Sequence, residues 1–145
     1  MKTSFQEVYD CFLNKIKDYD FLTLAEDDIE SLCYKYMVSS IPLIKYPKKI
    51  FENMNNTFQQ FDEKLSYTEI EILANLMLVQ WTTPQIYSIT NMKQFLGDSE
   101  YKFYSQANHL DKLYFLKDKA LDYADGLMIN NSYSLDALDD LNSVD

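Results

Sequence analysis

Apolar side chains recur at three- and four-residue steps from Phe5 through Val8, Tyr9, Phe12 and Leu13 to Ile16. That period marks one buried helix face. Ser4, with Glu7 three positions on, has capping-box spacing, so a first helix is expected over about residues 4–19. Thr23 with Glu26 repeats the signature. Ile29, Leu32, Cys33, Tyr36 and Met37 then form a stripe that predicts a second helix over about 24–38.

Residues 39–66 lose the period. Pro42 and Pro47 bracket Leu43 to Tyr46, which reads as extended chain, and Asn53, Asn55 and Asn56 favour turns. A short helical turn is expected near Phe58–Leu65. A connection this long is either functional or mobile. Lys45, Lys48 and Lys49 beside Tyr46 make it the most basic patch, a candidate arm for contacting a partner.

Ser66 with Glu69 is a third capping box and opens the strongest helix signal, Tyr67–Thr82. Ile70, Leu73, Ala74, Met77 and Trp81 form one face, Ile72, Leu76 and Val79 another, and Leu78 points a third way. A helix apolar nearly all round belongs in the middle of a protein. Pro84 is expected to end or kink it, leaving Gln85–Leu96 as a short helix stopped by Gly97.

Asp98 is placed to cap a long helix over about 99–129. Phe103, Ala107, Leu110, Tyr114, Leu121 and Met128 share one face, and Leu113, Leu116, Ala120, Tyr123 and Leu127 an adjoining one. Tyr104 and Phe115 point nearly opposite the first. This apolar surface is wider than one core needs, so the helix is either central or meets another subunit as well. Residues 130–145 read as a polar acidic tail in which Tyr133, Leu135, Leu138 and Leu141 recur regularly, suited either to docking on a neighbour or to remaining free. The fold class is therefore all-α. A single helical bundle occupies 1–129, with a buried central helix, a long C-terminal helix, an extended middle segment at 39–66 and the acidic tail at 130–145.

A chain of 145 residues suits one domain, and 47% hydrophobic content supports a packed core. The 13 basic residues are all lysine, and the net charge is −10. Phosphate binding needs cations, and bidentate reading of guanine or phosphate needs arginine, so a dedicated nucleic-acid binder is disfavoured. From residue 121 onward stand six Asp and no Lys, so over half the charge belongs to the helix end and tail. Only two Gly occur, which excludes Gly-rich phosphate loops. The N-terminus lacks the apolar run of a signal peptide, and the longest apolar stretch, Ile70 to Trp81, is too short to span a bilayer. Synthesis in a cytoplasm, without membrane insertion, is the expectation.

Candidate chemistry is sparse. His109 is the sole histidine and reads as a hydrogen-bonded structural residue in preference to a general base helped by Asp111 or Ser105. Cys11 and Cys33 read as buried free thiols. One His and two separated Cys make no zinc set, and the acidic runs lack EF-hand spacing. No catalytic residue, cofactor or metal is expected, and an enzyme is the least favoured class. The 12 tyrosines stand out, since tyrosine is enriched at interfaces. Tyr101, Tyr104 and Phe115 are candidates either for core packing or for subunit contact. Tyr133, Leu135, Leu138 and Leu141 are candidates for docking.

The stretch Leu65-Ser66-Tyr67-Thr68-Glu69-Ile70-Glu71-Ile72-Leu73-Ala74-Asn75-Leu76-Met77, on through Trp81 and Pro84-Gln85-Ile86, resembles small virion proteins of tailed bacteriophages that infect low-GC Gram-positive bacteria. So does Tyr101-Lys102-Phe103-Tyr104-Ser105-Gln106-Ala107-Asn108-His109-Leu110. Within that group the resemblance is to head–tail connector, or neck adaptor, proteins, and it covers mainly residues 65–116. It implies a helical protein of the virion neck that assembles with itself into a ring of roughly 12 copies. The ring would sit between the portal protein and other neck or tail proteins and extend the DNA channel, with DNA passing through unbound. The alternative is a small acidic non-enzymatic regulator that binds a host or phage protein.

Overall fold

The computed structural model describes residues 2–16, 26–45, 49–95 and 100–142. Five α-helices dominate: α1 (Phe5–Ile16), α2 (Glu26–Ser40), α3 (Lys49–Glu52), α4 (Tyr67–Phe95) and α5 (Glu100–Asn142). A 3₁₀ turn, Ile41–Leu43, follows α2, and a small hairpin of β1 (Met54–Asn55) and β2 (Gln60–Phe61) precedes α4. The all-α expectation holds.

Two of the three capping boxes are formed. The Ser4 amide donates to Glu7 Oε2 at 2.8 Å, and the Glu7 amide returns to Ser4 Oγ at 3.3 Å. At α4 the Ser66 amide donates to Glu69 Oε1 at 2.8 Å, and the Glu69 amide to Ser66 Oγ at 3.1 Å. Each pair satisfies two amides that a helix start would otherwise leave unpaired. Thr23 of the third pair lies outside the described residues, as do residues 17–22 and the expected cap and stop at Asp98 and Gly97.

Helix α4 is the central element. Every residue from Ile72 to Val79 is buried, since α1, α2 and α5 pack around it. Burial on all sides is what its all-round apolar surface requires. The α1 stripe Phe5, Val8, Phe12 and Ile16 joins the same core, together with Cys33 and Met37 of α2.

Pro84 neither ends α4 nor leaves Gln85–Leu96 as a separate helix, because α4 continues to Phe95. The ring is on the exposed side, where a carbonyl freed by the missing N–H can meet water. Nearby side chains bond other carbonyls of the same turns. Thr82 Oγ1 and Thr83 Oγ1 donate to the Val79 carbonyl at 2.9 and 2.8 Å, and Gln85 Nε2 donates to that of Trp81 at 2.9 Å. Buried Trp81, Thr82 and Ile86 hold both halves to the core.

The connection over 39–66 carries little regular structure, yet its described parts are tied down. Ile41, Ile44, Phe51, Phe61 and Leu65 are all core residues. In place of the expected helical turn near 58–65 stand β2 and an extended approach to α4. Backbone hydrogen bonds explain the difference. Residues 3–5 lie along the hairpin, with the Phe5 amide donating to the Gln59 carbonyl at 2.9 Å and the Phe61 amide to that of Thr3 at 2.8 Å. The Leu65 amide donates to Thr3 Oγ1 at 2.8 Å. Phe61 then stacks edge-on against Phe5, centroids 5.2 Å apart, and against Phe51 at 6.5 Å.

The long helix also exceeds its expected end. α5 runs 43 residues to Asn142, so residues 130–142 continue the helix instead of forming a separate tail. Gly126 stands inside it on the exposed side and does not break it. At 1.5 Å per residue α5 is about 64 Å long, against about 43 Å for the 29-residue α4.

Candidate functional site

The buried seam of α5 is Leu113, Ala120, Ala124 and Met128, spaced by seven, four and four residues. Small alanines at its middle let α5 lie close against α4. The same helix carries apolar side chains that this seam does not use. Phe115 is 68% exposed, Ile129 56%, Tyr123 54% and Tyr114 44%. Phe115 and Ile129 are fourteen positions apart, nearly four turns, so they stand on one outer face. Lys119 sits over the Phe115 ring at 5.8 Å and partly covers it. Along that face Asp111, Asp118 and Asp122 are exposed and Asp125 half-exposed. The outer face of α5 is therefore a mixed aromatic and acidic strip.

Phe115 is thus placed outside the core, one of the two locations its pattern allowed. Tyr101 and Tyr104 belong to α5, but their side chains lie outside the described residues. The same is true of Tyr133, Leu135, Leu138 and Leu141, whose backbone is helical. Of the basic arm, Lys45 is exposed and Lys49 opens α3 with its side chain outside the described set. Tyr46 and Lys48 lie outside it altogether.

Three aromatics more than half exposed escaped the sequence reading. Tyr67 at the start of α4 is 91% exposed, Phe58 at the hairpin tip 72%, and Tyr87 past Pro84 65%. Phe58 had a local signal in the Asn55-Asn56 pair before it. Asn55 Oδ1 accepts from the amides of Thr57 and Phe58, each at 3.1 Å, a side-chain-closed turn that points Phe58 outward. Gln59 completes the turn at φ 51°.

Between α1, α4 and α5 lies an open cleft of about 770 Å³, with Leu78, Leu116 and Ala120 on its floor. Lys119 and Asp122 of α5 line one side, and on the other Glu71 is a node: Lys15 Nζ donates to Oε2 at 2.8 Å, Asn75 Nδ2 to Oε2 at 3.3 Å, and the Cys11 thiol behind them to Oε1 at 3.3 Å. Burial pushes the Glu71 carboxyl up, but these bonds and the Lys15 charge outweigh it and hold the group below its usual value. Burial, with the Glu71 bond second, pushes the Cys11 thiol up to about 11, and burial pushes Cys33 up to about 12. Both thiols are free and protonated near neutrality, hence poor nucleophiles.

His109 is exposed and makes no hydrogen bond or ion pair among the described residues; the side chains one turn before it, at 101–107, lie outside them. No group of three or more His, Cys, Asp or Glu among the described residues is placed to hold a metal ion. None of the described helices is long and apolar enough to cross a membrane.

No protein-family model, curated protein or solved structure matches the chain.

Proposed function

We propose that this protein is a structural component of a tailed-phage virion. In this reading it forms a ring in the neck between portal and tail, joins head to tail and extends the DNA channel. The observation that supports it is the outer face of α5, where Phe115 and Ile129 stay exposed on a helix that outruns its partner α4. A ring needs two different surfaces per subunit. The second is available on other elements, at Phe58 of the hairpin tip and Tyr67 at the start of α4. Neither requires arginine, which the chain lacks. The abundant aspartates would repel DNA phosphates and keep a passing duplex from sticking. The sequence resemblance over residues 65–116 points the same way.

The test is the composition of purified virions. Mass measurement should find the protein in multiple copies per particle, and its absence would remove the proposal.

One observation favours the second reading, an acidic non-enzymatic regulator. Asp111, Asp118, Asp122 and Asp125 repeat along the outer face of α5, a line of charge that a basic partner surface would match. A regulator would be missing from virions and would sediment as a monomer or dimer.

A further inference from the structure

A second cleft, of about 450 Å³, opens between α1, α2 and the hairpin turn. Phe5 forms its floor, Tyr9 and Tyr34 its walls, and Glu30 its rim. The Phe5 ring centroid is 6.5 Å from that of Tyr9 and 6.1 Å from that of Tyr34, both pairs tilted, so the three rings converge. The remaining lining, from Ser31, Asn56 and Gln59, is neutral, which leaves the Glu30 carboxylate as the one charge among the lining residues.

Glu30, Tyr9 and Tyr34 supply acceptors, beside the Asn56 and Gln59 amides, which can also donate. Glu30 is exposed and makes no hydrogen bond or ion pair among the described residues. Tyr9 is only 5% exposed, yet its hydroxyl also has no partner among them. The Tyr9 ring is buried, but its hydroxyl opens on the cleft, where its lone pairs can accept. Tyr34 Oη spends its proton on Asn56 Oδ1 at 3.3 Å, leaving its lone pairs free.

We infer that this cleft binds an alkylammonium group, held between the Tyr9 and Tyr34 rings with its N–H bonds directed to the Glu30 carboxylate and the Tyr9 hydroxyl. Each part has a chemical reason. An ammonium brings three donors and no acceptor. Aromatic faces attract cations, more strongly where water is excluded. The carboxylate supplies the opposite charge, and the buried Phe5 floor suits the alkyl stem. An anion would meet Glu30 unopposed. By contrast, the cleft beside Glu71 already holds Lys15 against its carboxylate. Such a group is carried either by a lysine side chain of a partner protein or by a free amine.

The test is an amide-resolved NMR titration of the full chain with n-butylammonium, with N-acetyl-lysine methylamide, and with n-butanol as the uncharged control. Shifts confined to Ser31, Tyr34, Asn56 and Gln59 are expected with the cations below about 10 mM, and not with butanol. Glu30→Gln should weaken binding about tenfold, as expected for loss of a charge-assisted bond. Tyr9→Phe, which keeps the ring, should weaken it several-fold. Binding by the lysine amide supports a protein lysine as the source, and binding by butylammonium alone supports a free amine. Equal binding of butanol, an unchanged affinity in Glu30→Gln, or no localised shift would overturn the assignment. The Glu30 side chain is exposed and pairs with no described residue, so its replacement is expected to leave folding intact, and Trp81 fluorescence checks this for both variants.

Discussion

The Cys11 thiol donates to Glu71 Oε1 at 3.3 Å across 60 positions of sequence. One turn along α1, Lys15 reaches the other oxygen of the same carboxylate at 2.8 Å. Two residues four apart on α1 thus grip one residue of α4, and Asn75, four further along α4, completes the grip. The apolar stripe of α1 fixes which face meets α4, and this node fixes how far along.

The node makes stability depend on acid. Glu71 has a lower pKa folded than unfolded, so the folded state binds fewer protons around that pH. Its contribution is full above the ordinary value of 4.5 and is lost as pH falls through the folded value. The Glu71 side chain is 36% exposed, so water screens the pair, and Glu71→Gln should cost no more than about 1 kcal/mol at neutral pH. Urea titrations from pH 7 to pH 3 should show a shallower acid slope in the variant. An unchanged slope would assign the acid sensitivity to other carboxylates.

Trp81 is 5% exposed and packs where α4 approaches Pro84. Trp81→Ala should destabilise by about 3–5 kcal/mol, read by circular dichroism in denaturant. A loss under about 1 kcal/mol would place the indole outside the core. In the unmodified chain, emission from this single tryptophan should shift to the red on unfolding.

Gln59 holds φ 51°, a left-handed conformation that a side chain disfavours by roughly 1–2 kcal/mol. The turn keeps it because its carbonyl accepts from Phe5 and the adjacent Asn55 cap closes the loop. Gln59→Gly should relieve this strain and raise stability by up to about 1 kcal/mol, after the entropy glycine adds to the unfolded chain. Gln59→Val should lower it. A midpoint lowered by glycine would contradict the strain.

A Cβ added at Gly126 would meet nothing within 4 Å. Inside a helix, Gly126→Ala should therefore stabilise by about 0.5–1 kcal/mol, measured as a higher thermal midpoint of the isolated protein. Loss of stability would mean that another surface already lies against this position.

The helices were legible wherever local rules act without competition. Ser4 with Glu7 and Ser66 with Glu69 marked two starts because a capping box is complete within four residues. The all-round apolar pattern of Ile70 to Trp81 announced central burial for the same reason. Pro84 misled, because proline is judged by the bond it removes, whereas the threonines at 82 and 83 and the packing of Trp81 and Ile86 decide whether a helix survives it. The end of α5 misled because residues 130–145 read as a polar acidic tail, while the helix before them supplies a template that needs no new nucleus. The helical wheel left Phe115 between core packing and subunit contact, and only the packing of α5 on α4 places it outside. The Tyr9, Glu30 and Tyr34 cleft was not legible, since it is assembled by three elements whose register only the tertiary fold sets.

Thr3 is bonded to Leu65, 62 residues later. Seen as an event in time, this contact closes a long loop and cannot form until Leu65 has been made. At roughly 5–20 residues per second of synthesis, the first helix waits several seconds with Phe5, Val8, Phe12 and Ile16 uncovered. During that interval it is a sticky amphipathic peptide, and whatever shields it then governs the yield of folded protein as much as any contact in the finished core.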